Sequence, residues 1–141
     1  MKNNCIVVPC YNEEKRLPVS DFERNLESNK NLFICLVNDG SSDQTVQVLN
    51  KIHQKFPDQV LVVDKKQNAG KAAAIFTGVN EALTWKDFDS VGYLDADLAT
   101  SIEEYLNICS YMNNDIIFVF GSRIRRIGSN IKRKLHRHLI G

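Results

Sequence analysis

The sequence has little proline, little glycine and no long hydrophobic segment. Its 141 residues include 3 prolines and 7 glycines, without repeats or low-complexity stretches, which excludes a collagen-like or disordered chain. No uninterrupted apolar run approaches the roughly 20 residues that span a bilayer. No apolar core of a secretion signal follows Met1. We therefore expect one globular unit that stays in the cytoplasm.

Cysteine is also sparse, and its spacing excludes two classes of protein. The four cysteines include no C-x-x-C pair, and three of them lie in apolar, strand-like segments. A disulfide scaffold or a cysteine zinc site needs more cysteines or closer spacing. The pattern predicts buried, reduced thiols that act as small apolar side chains. They are Cys5, Cys10, Cys35 and Cys109.

Charge is distributed unevenly along the chain, although the net charge is only +1. Residues 1–120 carry 11 basic and 17 acidic side chains, whereas residues 121–141 carry 7 basic side chains and no acidic one. Apolar residues recur every three or four positions in this basic tail, which is typical of a helix lying on a membrane or on a partner. A solvated helix face is the alternative. The lack of aromatic residues there argues against nucleic acid.

Apolar segments rich in β-branched residues alternate with segments of helical periodicity. The pattern predicts strands at 5–8, 32–38, 59–63, 90–94 and 115–120, and helices at 20–28, 45–56, 71–84 and 101–112, with a basic helix from about Ser129. Capping boxes are predicted at Ser20 and Ser101. Continuous apolar strands separated by helices predict an α/β fold, a three-layer α/β/α sandwich with a mostly parallel sheet.

Polar residues follow each predicted strand, at the edge where parallel sheets bind ligands. Asp95 and Asp97 form a D-x-D pair after the fourth strand, which suits magnesium or manganese; an acidic loop before a helix is the alternative. Asp39 follows the second strand, where it forms an Asx turn, caps the helix that begins near Ser42, or accepts an N–H from a base. Lys71 begins a helix, either as an anion-binding residue or as an ordinary surface lysine.

The motifs together resemble a family of known enzymes. In order, they are Val7-Val8-Pro9-Cys10-Tyr11-Asn12-Glu13-Glu14, Val37-Asn38-Asp39-Gly40-Ser41-Ser42-Asp43, Asn68-Ala69-Gly70-Lys71, Leu94-Asp95-Ala96-Asp97 and Gly121-Ser122-Arg123. Their order and spacing resemble family 2 glycosyltransferases, which have the GT-A (Rossmann-like) fold. The resemblance is strongest to the dolichyl- and polyprenyl-phosphate glucosyltransferase branch.

The resemblance implies roles for the matching positions. Three residues would line the nucleoside pocket, namely Pro9, Tyr11 and Glu13. Asp39 would bind the base, Lys71 would lie near the nucleotide, and Asp95 would contact the ribose or diphosphate. Asp97 would hold the metal, Mg or Mn. Arg123 and Arg137 would meet the acceptor phosphate, and Asp95, Asp97 and Arg123 would form the catalytic set.

The implied activity is inverting transfer of a sugar from a nucleotide diphosphate, a UDP-sugar, to a polyprenyl phosphate at the cytoplasmic face of the membrane. A polysaccharide or glycolipid acceptor, or a nucleotide-binding module without turnover, are the alternatives. Ala99 stands where mannosyl-type relatives carry a glutamine beside the metal. The family continues beyond the length of this chain. We therefore expect a nucleotide-sugar-binding part at 1–120 and the beginning of an acceptor- or membrane-facing part at 121–141.

Overall fold

The structure is a computed structural model and describes residues 2–121. Eight elements alternate along this part of the chain. They are β1 (Asn4–Cys10), α1 (Val19–Ser28), β2 (Leu32–Asp39), α2 (Thr45–Lys55), β3 (Val60–Lys65), α3 (Lys71–Trp85), β4 (Ser90–Tyr93) and α4 (Ile102–Cys109).

The four strands form one parallel sheet in the order β3-β2-β1-β4. The register pairs Cys5 with Phe33 and Val7 with Tyr93, and β2 continues alongside β3 until Asp39 lies opposite Lys65. All four strands therefore end at the same edge of the sheet, which we call the carboxyl edge.

The hydrophobic core occupies both faces of the sheet, as a three-layer sandwich requires. On one face, side chains from the strands pack against α1, α2 and α4, among them Ile6, Val8, Ile34, Leu36, Phe22, Leu49 and Ile102. On the other face, the alternate strand residues pack against α3, among them Cys5, Val7, Cys35, Val37, Ala74 and Ala82. The predicted fold class is confirmed.

The direction of chain progression reverses at β1. The connections from β1 to β2 and from β2 to β3 cross the α1–α2 face, whereas the return from β3 to β4 crosses the opposite face through α3. Loops diverge at such a reversal and leave a crevice at the carboxyl ends of the strands, where open α/β sheets bind their ligands. The topology therefore places the ends of β1 and β4 beside the expected site.

Several predicted boundaries needed correction. β1 does not stop at Pro9 but continues to Cys10, because its pairing with β4 has already ended at Val7 and Pro9 has a neighbouring strand on one side only. The capping box predicted at Ser20 is wrong, since α1 begins at Val19 and its N-cap makes no side-chain hydrogen bond. The capping box at Ser101 is confirmed.

The fifth strand predicted at 115–120 is wrong. The Asn113 side-chain oxygen accepts the backbone N–H groups of Asp115 (2.9 Å) and Ile116 (3.0 Å), and this local turn competes with an extended backbone. No strand among residues 2–121 pairs with this segment, and Ile117 and Phe118 are about four-fifths exposed. Helix α4 is also shorter than predicted, ending at Cys109.

No helix within residues 2–121 is long and apolar enough to cross a membrane. The predicted basic helix, with Arg123 and Arg137, lies outside the described residues.

Candidate functional site

Asp39 is the most buried charged side chain at the carboxyl edge, with 3% of its side chain exposed. Its Oδ1 accepts hydrogen bonds from Lys65 Nζ and from the Ala69 N–H (3.2 Å), and its Oδ2 accepts the Gly70 N–H (2.9 Å). The register places Lys65 directly opposite Asp39, so adjacent strands deliver the two charges to one point. One carboxylate thereby holds the loop that leads into α3.

The surroundings of Asp39 keep it ionised. Burial by itself would raise the pKa of the carboxyl group, but the hydrogen bonds and charge of Lys65 and the two backbone N–H groups outweigh burial, and the pKa lies below its usual value. At neutral pH Asp39 is therefore a carboxylate that only accepts hydrogen bonds.

Gly40 lets the loop approach the end of β2. Its φ of +65° lies in the left-handed region, and a Cβ there would be 2.4 Å from the Asn68 backbone nitrogen and 2.5 Å from the Gln67 carbonyl carbon. Only glycine fits this contact. We call the set of Asp39, Gly40, Lys65 and residues 67–70 the β2–β3 corner.

A second group of charges follows β4 and is far more exposed. Lys71, the first residue of α3, donates a hydrogen bond to Asp95 Oδ1, and about half of each side chain is exposed. Its Nζ also lies 5.7 Å from the centre of the Tyr93 ring. Asp97 Oδ1 accepts the Ala99 N–H (3.0 Å). We call Lys71, Tyr93, Asp95 and Asp97 the β4 corner.

The two carboxylates of the D-x-D pair follow the end of β4 and are both exposed. Asp95 and Asp97 are exposed and flank Ala96, which is buried. Two exposed carboxylates two residues apart in the sequence can supply hard oxygen ligands to a divalent cation, although residues 2–121 contain no group of three or more His, Cys, Asp or Glu side chains able to hold a metal by themselves. A ligand would have to complete such a site.

The loop after β1 is bonded to the loop after β2. The Asn12 N–H donates to Ser41 Oγ (3.0 Å), and the Asn12 side-chain oxygen accepts the Ser42 N–H (2.9 Å). The Glu13 N–H donates to Thr45 Oγ1 (2.8 Å), and Glu13 Oε1 accepts a hydrogen bond from Arg16 Nη2 (2.8 Å). These bonds fix the backbone around two of the predicted nucleoside-lining residues, Tyr11 and Glu13.

The structure joins several predicted site residues directly. Gly70 contacts Asp39 and the next residue, Lys71, contacts Asp95, so one short segment links the two corners. Pro9 and Tyr11 lie at the end of β1 next to this edge, and half of Tyr11 is exposed. Asp39 does not cap α2, which begins at Thr45; Asp43 accepts the Thr45 N–H instead (3.0 Å).

Lys65 and Tyr93 contact the predicted site residues Asp39 and Lys71, and the sequence pattern does not reveal them as candidates. Lys65 falls into a predicted loop because the third strand is expected to end at Val63, whereas it continues to Lys65. Aligning the carboxyl ends of β2 and β3 would have placed Lys65 opposite Asp39. Tyr93 lies within a segment that reads as an apolar strand, although 53% of it is exposed.

The two clefts and the four thiols do not include the residues of the two corners. A cleft of about 270 Å³ borders Lys2, Asn31 and Ser110, towards the amino ends of the strands. Another lies on the side of the carboxyl edge, between the N-terminal parts of α1 and α4, and is lined by no residue of either corner. All four cysteines are buried and free, and burial raises the pKa of the Cys5, Cys10 and Cys35 thiols to about 12. The thiols are thus core residues, as predicted.

Comparison with proteins of known function agrees with this geometry. The chain is 35% identical over 115 residues to undecaprenyl-phosphate 4-deoxy-4-formamido-L-arabinose transferase of Pectobacterium carotovorum. This alignment covers 79% of this chain and 34% of that protein. It is 35% identical over 137 residues to human dolichyl-phosphate beta-glucosyltransferase, covering 86% of this chain and 41% of the relative. The chain thus spans about a third to two fifths of the length of these relatives.

Two solved structures have a similar fold. The S. aureus TarS fragment 1–349 in complex with UDP superposes with a TM-score of 0.54 at 26% identity, over 69% of this chain and 28% of that one. The mannosyltransferase PcManGT from Pyrobaculum calidifontis, in complex with GDP-Man and Mn²⁺, gives a TM-score of 0.52 at 25% identity. The superposition covers 68% of this chain and 28% of PcManGT.

These neighbours establish the GT-A fold. The sequence of residues 5–140 also matches Glycosyl transferase family 2. Four of the five ordered motifs lie in the described residues, at one edge of a parallel sheet. Together these findings establish that the chain belongs to glycosyl transferase family 2.

Proposed function

We propose that the intact protein is a metal-dependent, inverting glycosyltransferase that moves a sugar from a nucleotide-diphosphate donor, a UDP-sugar, to a polyprenyl phosphate at the cytoplasmic face of the membrane. The observation that carries the donor half of this proposal is the segment Gly70–Lys71, which bonds Asp39 at one end and Asp95 at the other. A nucleotide diphosphate needs such a pairing, since its base and its phosphates must be held at separate points of one groove.

The donor would lie along the carboxyl edge. Asp39 would accept an N–H of the base, and Pro9, Tyr11 and Glu13 would line the nucleoside. The N-terminus of α3, a helix of 15 residues, offers backbone N–H groups and a positive dipole to an anion, and Lys71 adds a charge. Asp95 would lie near the ribose and the diphosphate.

Asp97, with Asp95 beside it, fits a divalent cation, Mg²⁺ or Mn²⁺, because carboxylate oxygens are the ligands that these ions prefer. Asp97 would hold the ion, with oxygens of the donor diphosphate completing its ligand shell. When bound, the ion would neutralise the charge that develops on the departing nucleotide diphosphate. One structural neighbour, PcManGT, was solved with Mn²⁺.

A lipid phosphate is an anion at neutral pH and needs no general base, but it has to be positioned and desolvated. Arg123 and Arg137, in the acid-free segment 121–141, are the residues we assign to it. The names of two relatives, an undecaprenyl-phosphate and a dolichyl-phosphate sugar transferase, support this acceptor class. The alternatives are a polysaccharide or glycolipid acceptor, or nucleotide binding without turnover.

Calorimetric titration of the chain with UDP, with and without Mn²⁺, tests the donor site. We expect Mn²⁺-dependent binding of UDP that Asp97→Ala weakens at least about tenfold by removing a metal ligand. Asp87→Ala is the matched control, since Asp87 is exposed at the amino end of β4. Equal binding with and without metal in all three proteins would contradict the metal assignment.

The acceptor is tested on the full-length protein with a radiolabelled UDP-sugar. We expect transfer to a polyprenyl phosphate in detergent, and loss of that transfer in Arg123→Ala with donor binding unchanged. Transfer to a soluble saccharide with none to polyprenyl phosphate would overturn the acceptor proposal. Donor binding without any transfer would favour the module without turnover.

A further inference from the structure

The number of hydrogen bonds that Asp39 already accepts limits what else it can bind. A carboxylate offers about four acceptor positions, two on each oxygen. Lys65 and the Ala69 N–H occupy both positions on Oδ1, and the Gly70 N–H occupies one on Oδ2. Among residues 2–121, these three donors leave one acceptor position, on Oδ2, without a partner.

We infer that Lys65 is a specificity-determining residue, which restricts the base of the donor to one that presents a single N–H to Asp39, as the imide N3–H of uracil or thymine does. This inference rests on the proposed function, in that it takes Asp39 to be the base contact of the donor site. Guanine presents two adjacent donors, N1–H and N2–H, which bind a carboxylate through both oxygens at once. It would have to displace a donor from Oδ1.

Lys65 is the donor whose removal would change the number of occupied acceptor positions on Asp39. Ala69 and Gly70 donate from the backbone, and no substitution of their side chains removes those N–H groups. Replacing Lys65 by methionine, which has no N–H donor, frees one position on Oδ1 while the apolar stem of the side chain remains. Asp39 would then offer one open position on each oxygen, which is the arrangement that guanine needs.

The charge of Lys65 favours the same base. The ammonium group has three N–H donors, and the structure gives its nitrogen one hydrogen bond, to Asp39. The imide N–H of uracil is flanked by two carbonyl oxygens, so a base bonded to Asp39 brings an acceptor towards Lys65. Guanine has such a carbonyl on only one side of its N1–H. When its N1–H takes the position on Oδ2 and its amino group approaches Oδ1, that amino group lies close to the ammonium group of Lys65 and is repelled.

The chain provides a matched control one residue further on. Lys66 is also a lysine paired with an aspartate, since its Nζ lies 3.0 Å from Asp64 Oδ2, but 88% of its side chain is exposed and it does not contact Asp39. Lys66→Met therefore makes the same chemical change beside the corner without altering the hydrogen bonds of Asp39. Lys65→Arg keeps a charged donor at the critical position.

The test is calorimetric titration with UDP, GDP and N3-methyl-UDP in the presence of Mn²⁺, on the 141-residue chain and on Lys65→Met, Lys65→Arg and Lys66→Met. We expect wild type to prefer UDP over GDP by at least about tenfold, the effect of one charged hydrogen bond. Lys65→Met should lose most of this preference, whereas Lys65→Arg and Lys66→Met keep it. N3-methyl-UDP, which lacks the imide N–H, should bind wild type at least about tenfold more weakly than UDP.

Four outcomes overturn the inference. A folded Lys65→Met that keeps the wild-type preference would give Lys65 a purely structural role. A wild type that prefers GDP would exclude single-donor recognition and the UDP-sugar donor, but leave a glycosyltransferase with another nucleotide-sugar donor standing. A wild type that binds N3-methyl-UDP as tightly as UDP would exclude single-donor recognition and leave the proposed function standing. A wild type that binds no nucleotide would remove the donor site itself, and with it both proposals. If Lys65→Met does not fold, two wild-type comparisons still test single-donor recognition. They are the affinity for UDP against GDP and the affinity for UDP against N3-methyl-UDP.

Discussion

At the carboxyl edge of the sheet, Asp39 and Asp95 each accept a hydrogen bond from a lysine, but the two pairs lie in different surroundings. In the β2–β3 corner, 3% of Asp39 and 17% of Lys65 are exposed, and two backbone N–H groups also donate to the carboxylate. In the β4 corner, 51% of Asp95 and 55% of Lys71 are exposed. The same chemistry is buried in one place and surrounded by water in the other.

This difference decides what each pair contributes. Breaking a buried pair leaves an uncompensated charge and costs about 3–5 kcal/mol, whereas an exposed pair contributes about 0–1 kcal/mol. The β2–β3 corner is therefore part of the folded structure, and its geometry is set before any ligand arrives. The β4 corner is held weakly, so its lysine and carboxylates are available to exchange their partners for a phosphate or a cation.

The comparison indicates a division of labour within the proposed donor site. Recognition of a base needs fixed directions of hydrogen bonds, and a buried corner supplies them. Binding of a diphosphate and a metal needs charged side chains that pair with each other when the ligand is absent. The same side chains must be able to leave these partners for the ligand when it binds. An exposed ion pair meets both needs at small cost.

Asp39→Asn should produce the largest loss of stability, because an amide cannot neutralise Lys65 and its NH₂ group faces donors. We expect the free energy of unfolding to fall by about 3 kcal/mol. Asp95→Asn is the matched control, with an expected loss below about 1 kcal/mol. Urea unfolding of both variants measures the difference, and equal losses would mean that burial does not distinguish the two corners.

Gly40→Ala should have the next largest effect, also in the β2–β3 corner. The new Cβ would overlap the backbone of residues 67 and 68, in addition to the strain of a positive φ, and we expect a loss of about 2 kcal/mol. Hydrogen exchange should become faster in a peptide covering residues 66–72.

Gly40→Asn separates the two causes. Asparagine tolerates a left-handed backbone but still carries a Cβ, so overlap predicts that it is as destabilising as alanine. Recovery of wild-type stability in this variant would attribute the loss to φ alone and would weaken the argument that the loop packs on Gly40.

Acid should weaken the β2–β3 corner through Asp39. Its pKa in the folded protein lies below the value of about 3.9 in an unfolded chain, so its contribution is complete above about pH 4 and is lost as the pH falls towards the folded pKa. The difference in unfolding free energy between wild type and Asp39→Asn should therefore shrink below about pH 4. The carboxyl groups of Asp43 and Asp64, whose pKa values are also lowered, are present in both proteins and cancel. A difference that stays constant as the pH falls would mean that the folded state does not lower the pKa of Asp39.

Most of the fold could be predicted from the sequence, because the strands are buried on both faces and read as continuous apolar runs. The segment 115–120 reads in the same way, yet it is not a strand, since a strand also needs a neighbour with which to pair and local hydrogen bonds of Asn113 take precedence. Periodicity reports how apolar a segment is, and it carries no information about pairing partners.

Some members of the candidate site could be predicted from the sequence, but Lys65, Tyr93 and the contacts between the residues could not. Asp39, Lys71 and Asp95 are identifiable from their positions after strands. The pairing of Lys71 with Asp95, in contrast, depends on the distance between the first residue of α3 and the end of β4, which the sequence does not give. Lys65 escapes prediction because a strand end misplaced by two residues moves a side chain from a register position into a loop. The roles assigned to Arg123 and Arg137 stay predictions, as these residues lie outside the described part of the chain.

Lys71→Met should have the smallest effect on stability and yet a clear effect on ligand binding. The Lys71–Asp95 pair is half exposed, so its loss should change the free energy of unfolding by less than about 1 kcal/mol, whereas the affinity for UDP with Mn²⁺ should fall roughly tenfold if the ammonium group leaves Asp95 for the diphosphate. Urea unfolding and calorimetry measure the two quantities, with Lys66→Met as an exposed lysine whose loss should alter neither. A loss of stability as large as that of Asp39→Asn would mean that the β4 corner is as firmly built as the β2–β3 corner. The pair would then be a structural brace, and its lysine would not be free to move to a ligand.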